Sequence, residues 1–188
     1  MNERLRNREA EAAVETLLDF VGEDVGREGL RQTPNRVVRS FVELCSGYLL
    51  DPADLLGQAT FVEQVDEMIV TGPFPFSSTC EHHLLPFLGT AVVAYVPRDG
   101  RITGLSKVPR AFHALAARLQ VQERLTVEMA DAVEKALDPQ GVAVVVQAEH
   151  LCASVRGVRT RTPLSTSVMR GCFRERDAAR AEVLALLR

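Results

Sequence analysis

With 188 residues, 46% of them hydrophobic, and a formal net charge of −3, the chain suits one compact domain with a sizeable core plus an extension. The acidic balance argues against a protein whose main partner is nucleic acid. No apolar run approaches membrane-span length and the charged start lacks the apolar core of a signal peptide, so a cytoplasmic protein with no membrane partner is expected.

From Glu3 to Val21, the positions Ala10, Ala13, Val14, Leu17, Leu18 and Val21 recur at helical spacing, and Gly22 and Gly26 end the segment. Thr33-Pro34 predicts a second helix, with threonine as N-cap and proline in the first turn, where its missing N–H costs nothing. Its stripe is Val37, Val38, Phe41, Leu44, Cys45 and Tyr48, and Asp51 to Gly57 adds a short helical turn. Residues 1–57 thus read as an N-terminal helical extension and 58–188 as the main domain. Strands are expected over Glu67–Thr71 and Gly89–Val96, with Pro97-Arg98-Asp99-Gly100 as a turn. Ser106 is placed to cap a helix that holds Pro109 in its first turn. A second helix presents Leu125, Met129, Ala132, Val133, Ala136 and Leu137 on one face and stops at Asp138-Pro139. A strand over Val142–Glu149, a last one over Ser165–Phe173 and a helical tail over Ala178–Leu187 complete the chain.

The order β-β-α-α-β-β predicts an α+β fold, an antiparallel four-stranded sheet backed by paired helices. The open edges of such a sheet suit closure by neighbouring subunits. Four cysteines at irregular spacing do not form a disulfide framework, and a reducing cytosol is the simplest compartment. Cys45 and Cys172, among apolar neighbours, read as ordinary buried residues.

The other two cysteines sit in chemical company. Cys80-Glu81-His82-His83 packs a thiol, a carboxyl and two imidazoles into the connection between two expected strands, a usual place for reactive groups on a rigid scaffold. A thiolate and an imidazole three residues apart suit tetrahedral zinc, although a buried cysteine beside surface histidines has the same pattern. His150-Leu151-Cys152 follows the β-branched run Gly141–Val146, and strand alternation predicts His150 and Cys152 on one face. Cys80, His83 and Cys152 make three ligands with no fourth, the count of a catalytic rather than a structural zinc site. Lys107 and Arg110 flank a helix N-terminus that favours an anion, or else are ordinary surface cations. Gln122 and Glu123 start the next helix, where a carboxylate commonly just complements the dipole. Arginines 156, 159, 161, 170, 174 and 176 form either a solvated face or, in part, a polyphosphate contact.

From about Thr33-Pro34-Asn35-Arg36 to its end, the chain resembles the GTP cyclohydrolase I family. The resemblance rests on Cys80-Glu81-His82-His83-Leu84-Leu85-Pro86-Phe87, Gly104-Leu105-Ser106-Lys107, Arg118 to Thr126, and Glu149-His150-Leu151-Cys152 with Arg156-Gly157-Val158. It implies the tunnelling fold, whose units close into barrels by oligomerising, typically as a homodecamer of two stacked pentamers with active sites at subunit interfaces. It implies one Zn²⁺ per chain on Cys80, His83 and Cys152, with His82 and His150 as acid/base groups. It further implies Gln122 and Glu123 as the purine-recognition pair, and Ser106, Lys107, Arg110 and Arg156 around the ribose and triphosphate. The implied reaction opens the purine ring of GTP at C8 with zinc-activated water. Formate leaves, and the rearranged ribose closes on the exposed amine to give 7,8-dihydroneopterin triphosphate. The stretch Val158–Thr166 is shorter than the loop usual in the family. The alternatives are a deazapurine nitrile reductase of the same fold, which would use a cysteine as nucleophile, and a silent purine- or pterin-binding paralogue, which would have lost a ligand or a histidine.

Overall fold

The structure is a computed structural model that describes residues 3–185, with side chains described from residue 7. It divides into two compact units, Met1–Cys45 and Ser46–Arg188. In the first, α1 (Glu3–Phe20) and α2 (Thr33–Leu44) pair, and the Asn35 amide donates to the Glu11 carboxylate at 2.8 Å. Gln32, not Thr33, occupies the cap position of α2 and makes no capping bond, while Pro34 falls in the first turn as the sequence requires. Cys45 is only half-buried in this unit.

The second unit opens with a 3₁₀ turn (Ser46–Leu49) and α3 (Pro52–Gly57), capped by the Asp51 carboxylate, which accepts from the Ala53 and Asp54 N–H groups at 2.8 and 3.4 Å. After β1 (Thr60–Val62) come two long strands, β2 (Ile69–Cys80) and β3 (Pro86–Val96), and then β4 (Arg101–Thr103), which pairs with β1 as a separate ribbon. The helices α4 (Lys107–Ala116) and α5 (Gln122–Leu137) follow, separated by β5 (Leu119–Gln120). The chain continues through β6 (Gly141–His150), α6 (Leu151–Ser154), β7 (Leu164–Gly171), α7 (Cys172–Glu175) and α8 (Asp177–Ala185). The last two residues of the expected tail, 186 and 187, lie outside the described residues.

The fold is α+β, with two corrections to the expected sheet. It has five strands, in the order β5-β2-β3-β6-β7, and β5 joins β2 in parallel, so the sheet is mixed. A two-residue strand is too short to carry a period of its own; its pairing follows from the loop between α4 and α5 lying against Thr79 and Cys80.

Alternation along the strands sorts the core into two layers. Ala91, Val93 and Tyr95 of β3 and Val142, Val144, Val146 and Ala148 of β6 face α4 and α5, meeting Phe112, Leu115, Leu125, Met129 and Val133. Ala94 and Ala143 face the other way, towards Cys172, Phe173 and Val183. Strands β3 and β6 approach so closely at Gly89 that a Cβ there would stand 1.9 Å from the Gln147 carbonyl oxygen. That glycine keeps the register that sets Phe87 opposite His150.

Candidate active site

β2 ends at Cys80, and Glu81–Leu85 turn the chain back into β3. The turn is closed by backbone bonds from Cys80 N–H to the Leu85 carbonyl (2.9 Å) and from Leu84 N–H to the Cys80 carbonyl (2.8 Å). Leu84 adopts φ 54°, a left-handed conformation that a non-glycine residue rarely takes. The turn folds His83 back over Cys80, whose Sγ lies 4.0 Å from His83 Nδ1. The Glu81 N–H also donates to the Gln120 carbonyl at 3.0 Å, and the Glu81 carboxylate pairs with Arg124 on α5. The Arg124 guanidinium holds the Glu81 carboxyl below the usual carboxylate range. Arg124 is held in turn by Gln120 (2.9 Å) and the Leu119 carbonyl (2.9 Å), so the turn is strapped to the start of α5.

Cys152 reaches the same place from the other side of the sheet's end. The strand expectation is corrected here: His150 is the last residue of β6, and Cys152 sits in the helical turn α6. The chain has to leave the sheet at His150 for the thiol to curl towards Cys80. One ligand atom from each of Cys80, His83 and Cys152 lies within 4.8 Å of the others. Zinc bonds of about 2.3 Å to sulfur and 2.1 Å to nitrogen would set such atoms about 3.6 Å apart. The trio therefore needs only a small contraction, and its soft and borderline donors suit zinc or a similar ion. Burial, and next the neighbouring Cys80, push the Cys152 thiol up, so an ion that binds here must displace its proton.

Two further imidazoles flank the trio. His82 is exposed on the turn, its ring 6.3 Å from that of His83 at 83°. His150 is half-buried and stacks on Phe87 with centroids 4.7 Å apart and planes 5° off parallel. Burial lowers its pKa, with the Glu123 charge opposing, which favours a neutral ring at pH 7. Its Nε2 is 2.9 Å from Gln122 Oε1. Gln122 is fully buried at the start of α5, and Glu123, next to it, is exposed. Arg156 is exposed just beyond α6, close enough for its charge to act on Cys152.

Ser106, Lys107 and Arg110 lie elsewhere. Ser106 takes the cap position of α4 without a capping bond, and Lys107 donates to Gln58 at 3.1 Å. Thr103, just before them, bonds Tyr95 near the far end of β3, whereas the trio sits beyond Phe87 at its beginning. Those two points are about 25 Å apart along the strand. Within one chain the cations of α4 and the Cys-His-Cys trio therefore stand at opposite ends of the sheet.

Sequence reasoning did not assign Glu81, Arg124 or Phe87, although all three fall inside the motifs that drew notice. Nothing in their spacing distinguishes a strap or a stacking partner from ordinary polar and apolar residues. Of the arginine run, Arg170 is engaged by the α5 carboxylates Asp131 (2.6 Å) and Glu134, and so serves the fold.

A trio able to hold a metal, set beside two imidazoles on an α+β sheet, is an arrangement that metal-dependent enzymes use. The profile of the GTP cyclohydrolase I family matches residues 10–188. Among curated relatives, the GTP cyclohydrolase 1 of Desulforamulus reducens is 49% identical over 94% of this chain and 95% of its own length. Those of Mycolicibacterium vanbaalenii (50% identity; 98% of this chain, 92% of the relative) and Mycobacterium bovis (51%; 95% and 89%) are as similar. The chain belongs to the GTP cyclohydrolase I family and is an enzyme of that type. The apo archaeosine synthase QueF-Like, a solved structure, aligns with 54% of this chain and 90% of its own at 18% identity and a TM-score of 0.39, too slight a likeness to bear on the argument. No helix among the described residues is long and apolar enough to cross a membrane.

Proposed function

We propose that this enzyme opens the purine ring of GTP at C8, releases formate and closes the rearranged ribose into 7,8-dihydroneopterin triphosphate, in a cytoplasmic setting. The observation that carries the reading is the Cys80–His83–Cys152 trio beside His82 and His150, in a chain of this family. The trio would hold one Zn²⁺ per chain, which when bound supplies Lewis acidity and an activated water at neutral pH. His82 and His150 supply and remove protons as the imidazole ring opens and the ribose oxygen departs, work suited to imidazole side chains. Glu123, exposed beside Gln122, reads the guanine edge. Arg156 binds the triphosphate, and Ser106, Lys107 and Arg110 hold ribose and phosphates at a helix N-terminus.

The test is formate release from GTP together with a product that oxidises to a fluorescent pterin. His82→Ala and His150→Ala are expected to keep their zinc and lose about 10²–10⁴-fold in turnover. Formate release at the wild-type rate from both variants would remove the histidines from the mechanism.

The separation of α4 from the trio also supports an active site shared between subunits, in a tunnelling-fold barrel assembled as a decamer of two pentamers. Two edges are available for such closure: the outer side of β7, and β2 from Ile69 to Ser78, since β5 covers only Thr79 and Cys80. In this reading residues 58–188 form the catalytic domain and 1–57 its helical extension. Lys107→Ala and Cys80→Ser, each inactive alone, should recover activity when co-expressed, with about a quarter of sites intact on random mixing. No recovery in mixed oligomers, or a fully active monomer in light scattering, would rule the shared site out.

A further inference from the structure

Gln122 is 0% exposed, and both protons of its amide nitrogen are taken up within the protein. Nε2 lies 3.1 Å from the Val146 carbonyl, 3.0 Å from the Leu164 carbonyl and 3.1 Å from Thr166 Oγ1. Two protons are thus distributed over three acceptors, two of which are backbone carbonyls that can only accept. The third acceptor is also spoken for. Thr126 donates its hydroxyl proton to the Gln122 carbonyl at 2.7 Å, so in the 2.7 Å contact between the two threonines Thr166 must be the donor. Thr166 therefore has only lone pairs left for Gln122. A flipped amide would set Oε1 against two carbonyls and that hydroxyl oxygen, with no donor among them. The surroundings accordingly determine the amide orientation.

With Nε2 so placed, Oε1 points at His150 Nε2 at 2.9 Å. An amide oxygen can only accept, so the imidazole must donate, and its proton resides on Nε2. Among the described residues, Nδ1 of His150 makes no hydrogen bond. The ring plane is held independently by the Phe87 stack at 4.7 Å.

We propose that Gln122 is a positioning residue for His150: it fixes the imidazole as the Nε2–H tautomer and leaves Nδ1 as the lone-pair atom that exchanges protons with the reacting groups. Gln122 is then not a contact to the purine, and guanine recognition falls to Glu123 alone of the pair. The anchoring through Val146 on β6 and Leu164 and Thr166 on β7 ties the histidine's orientation to the sheet rather than to the mobile end of a side chain. The inference rests on the reading of His150 as a proton carrier, and its test separates the two.

The zinc-loaded enzyme, labelled with ¹⁵N-histidine and studied at pH 8 by solid-state NMR, should show for His150 a protonated Nε2 and an unprotonated Nδ1. The resonance pair is assigned by its loss in His150→Ala. The reverse tautomer in the unmodified enzyme overturns the proposal, whatever any variant does. Gln122→Met keeps length and volume without the polar atoms. It should lose the tautomer bias and about ten- to a hundredfold in kcat, the scale known for removing the outer partner of a metal-bound histidine, with KM for GTP within about threefold. A raised KM with kcat and the His150 signature unchanged would make Gln122 a substrate contact and sink the proposal. If instead His150→Ala turns over normally, the proton-carrier reading fails while the tautomer result still decides what Gln122 does to the ring.

Discussion

Cys80→Ser and Cys152→Ser are each expected to purify with little zinc and without measurable formate release, while keeping a melting temperature close to the parent's. Removing a mere supporting partner of a metal ligand typically costs 10- to 100-fold in affinity. Loss of one of three ligands should therefore exceed about 100-fold, and serine offers only a harder, protonated oxygen in place of a thiolate. Stability should survive because the turn has bonds of its own to hold it. It is closed by the Cys80–Leu85 and Leu84–Cys80 backbone bonds and strapped through Glu81 to Arg124. The measurement is elemental analysis after dialysis, paired with thermal unfolding of the metal-free proteins. Stoichiometric zinc in both variants would refute the ligand assignment. A collapse of the melting temperature on zinc removal from the parent would make the site structural.

The second large effect concerns the choice of nucleotide, and it rests on Glu123. Guanine presents N1–H and the 2-amino group side by side, and a carboxylate can accept from both at once. Adenine offers an acceptor at N1 and no amine there, so the carboxylate would meet repulsion and stay unpaired. Sites built to hydrogen-bond a substrate reject the analogue that lacks the groups by about 10⁴–10⁵, so ATP turnover should be negligible and inosine triphosphate intermediate. Glu123→Gln keeps one acceptor and loses the charge, and kcat/KM for GTP should fall about 10²–10³-fold, the scale of one or two charge-assisted hydrogen bonds. The alternative role for this residue is a first-turn carboxylate on the α5 dipole, worth about 0.3–1 kcal/mol of stability and nothing in selectivity. Glu123 is exposed and, among the described residues, has no hydrogen-bond partner, which fits a group kept free for a ligand. Kinetics with three nucleotides on parent and variant decide between the roles; an unaltered preference for GTP would leave only the dipole.

The local chemistry and the element order were legible along the chain because they depend on near neighbours. Cys80 and His83 are joined by one tight turn, Thr33-Pro34 marks a helix start, and the β-branched run before His150 marks a central strand. Spatial relations were another matter. The two core layers were not legible, because β3 and β6 are apolar on both faces and only packing shows which face meets α4 and α5. That Cys152 joins the trio from a helical turn rather than along a strand face depends on where the sheet ends. That Leu119–Gln120 is a strand depends on its pairing with Thr79–Cys80, since two residues have no pattern of their own.

Gln122 and Lys107 show the limit most plainly. Adjacent in the chain, Gln122 and Glu123 looked like one recognition pair, yet a helix rotates successive residues by about 100°, so one points into the sheet and the other into solvent. Lys107 and Arg110 stood out at a helix start, but nothing along the chain shows that Thr103, just before them, bonds Tyr95, about 25 Å along β3 from Phe87 and the trio. By itself, then, the sequence determined which chemical groups the protein owns and which short stretches hold them. Direction was left to the tertiary structure, because which face a side chain takes, and which end of a strand it stands at, is set by packing against residues far away in the chain.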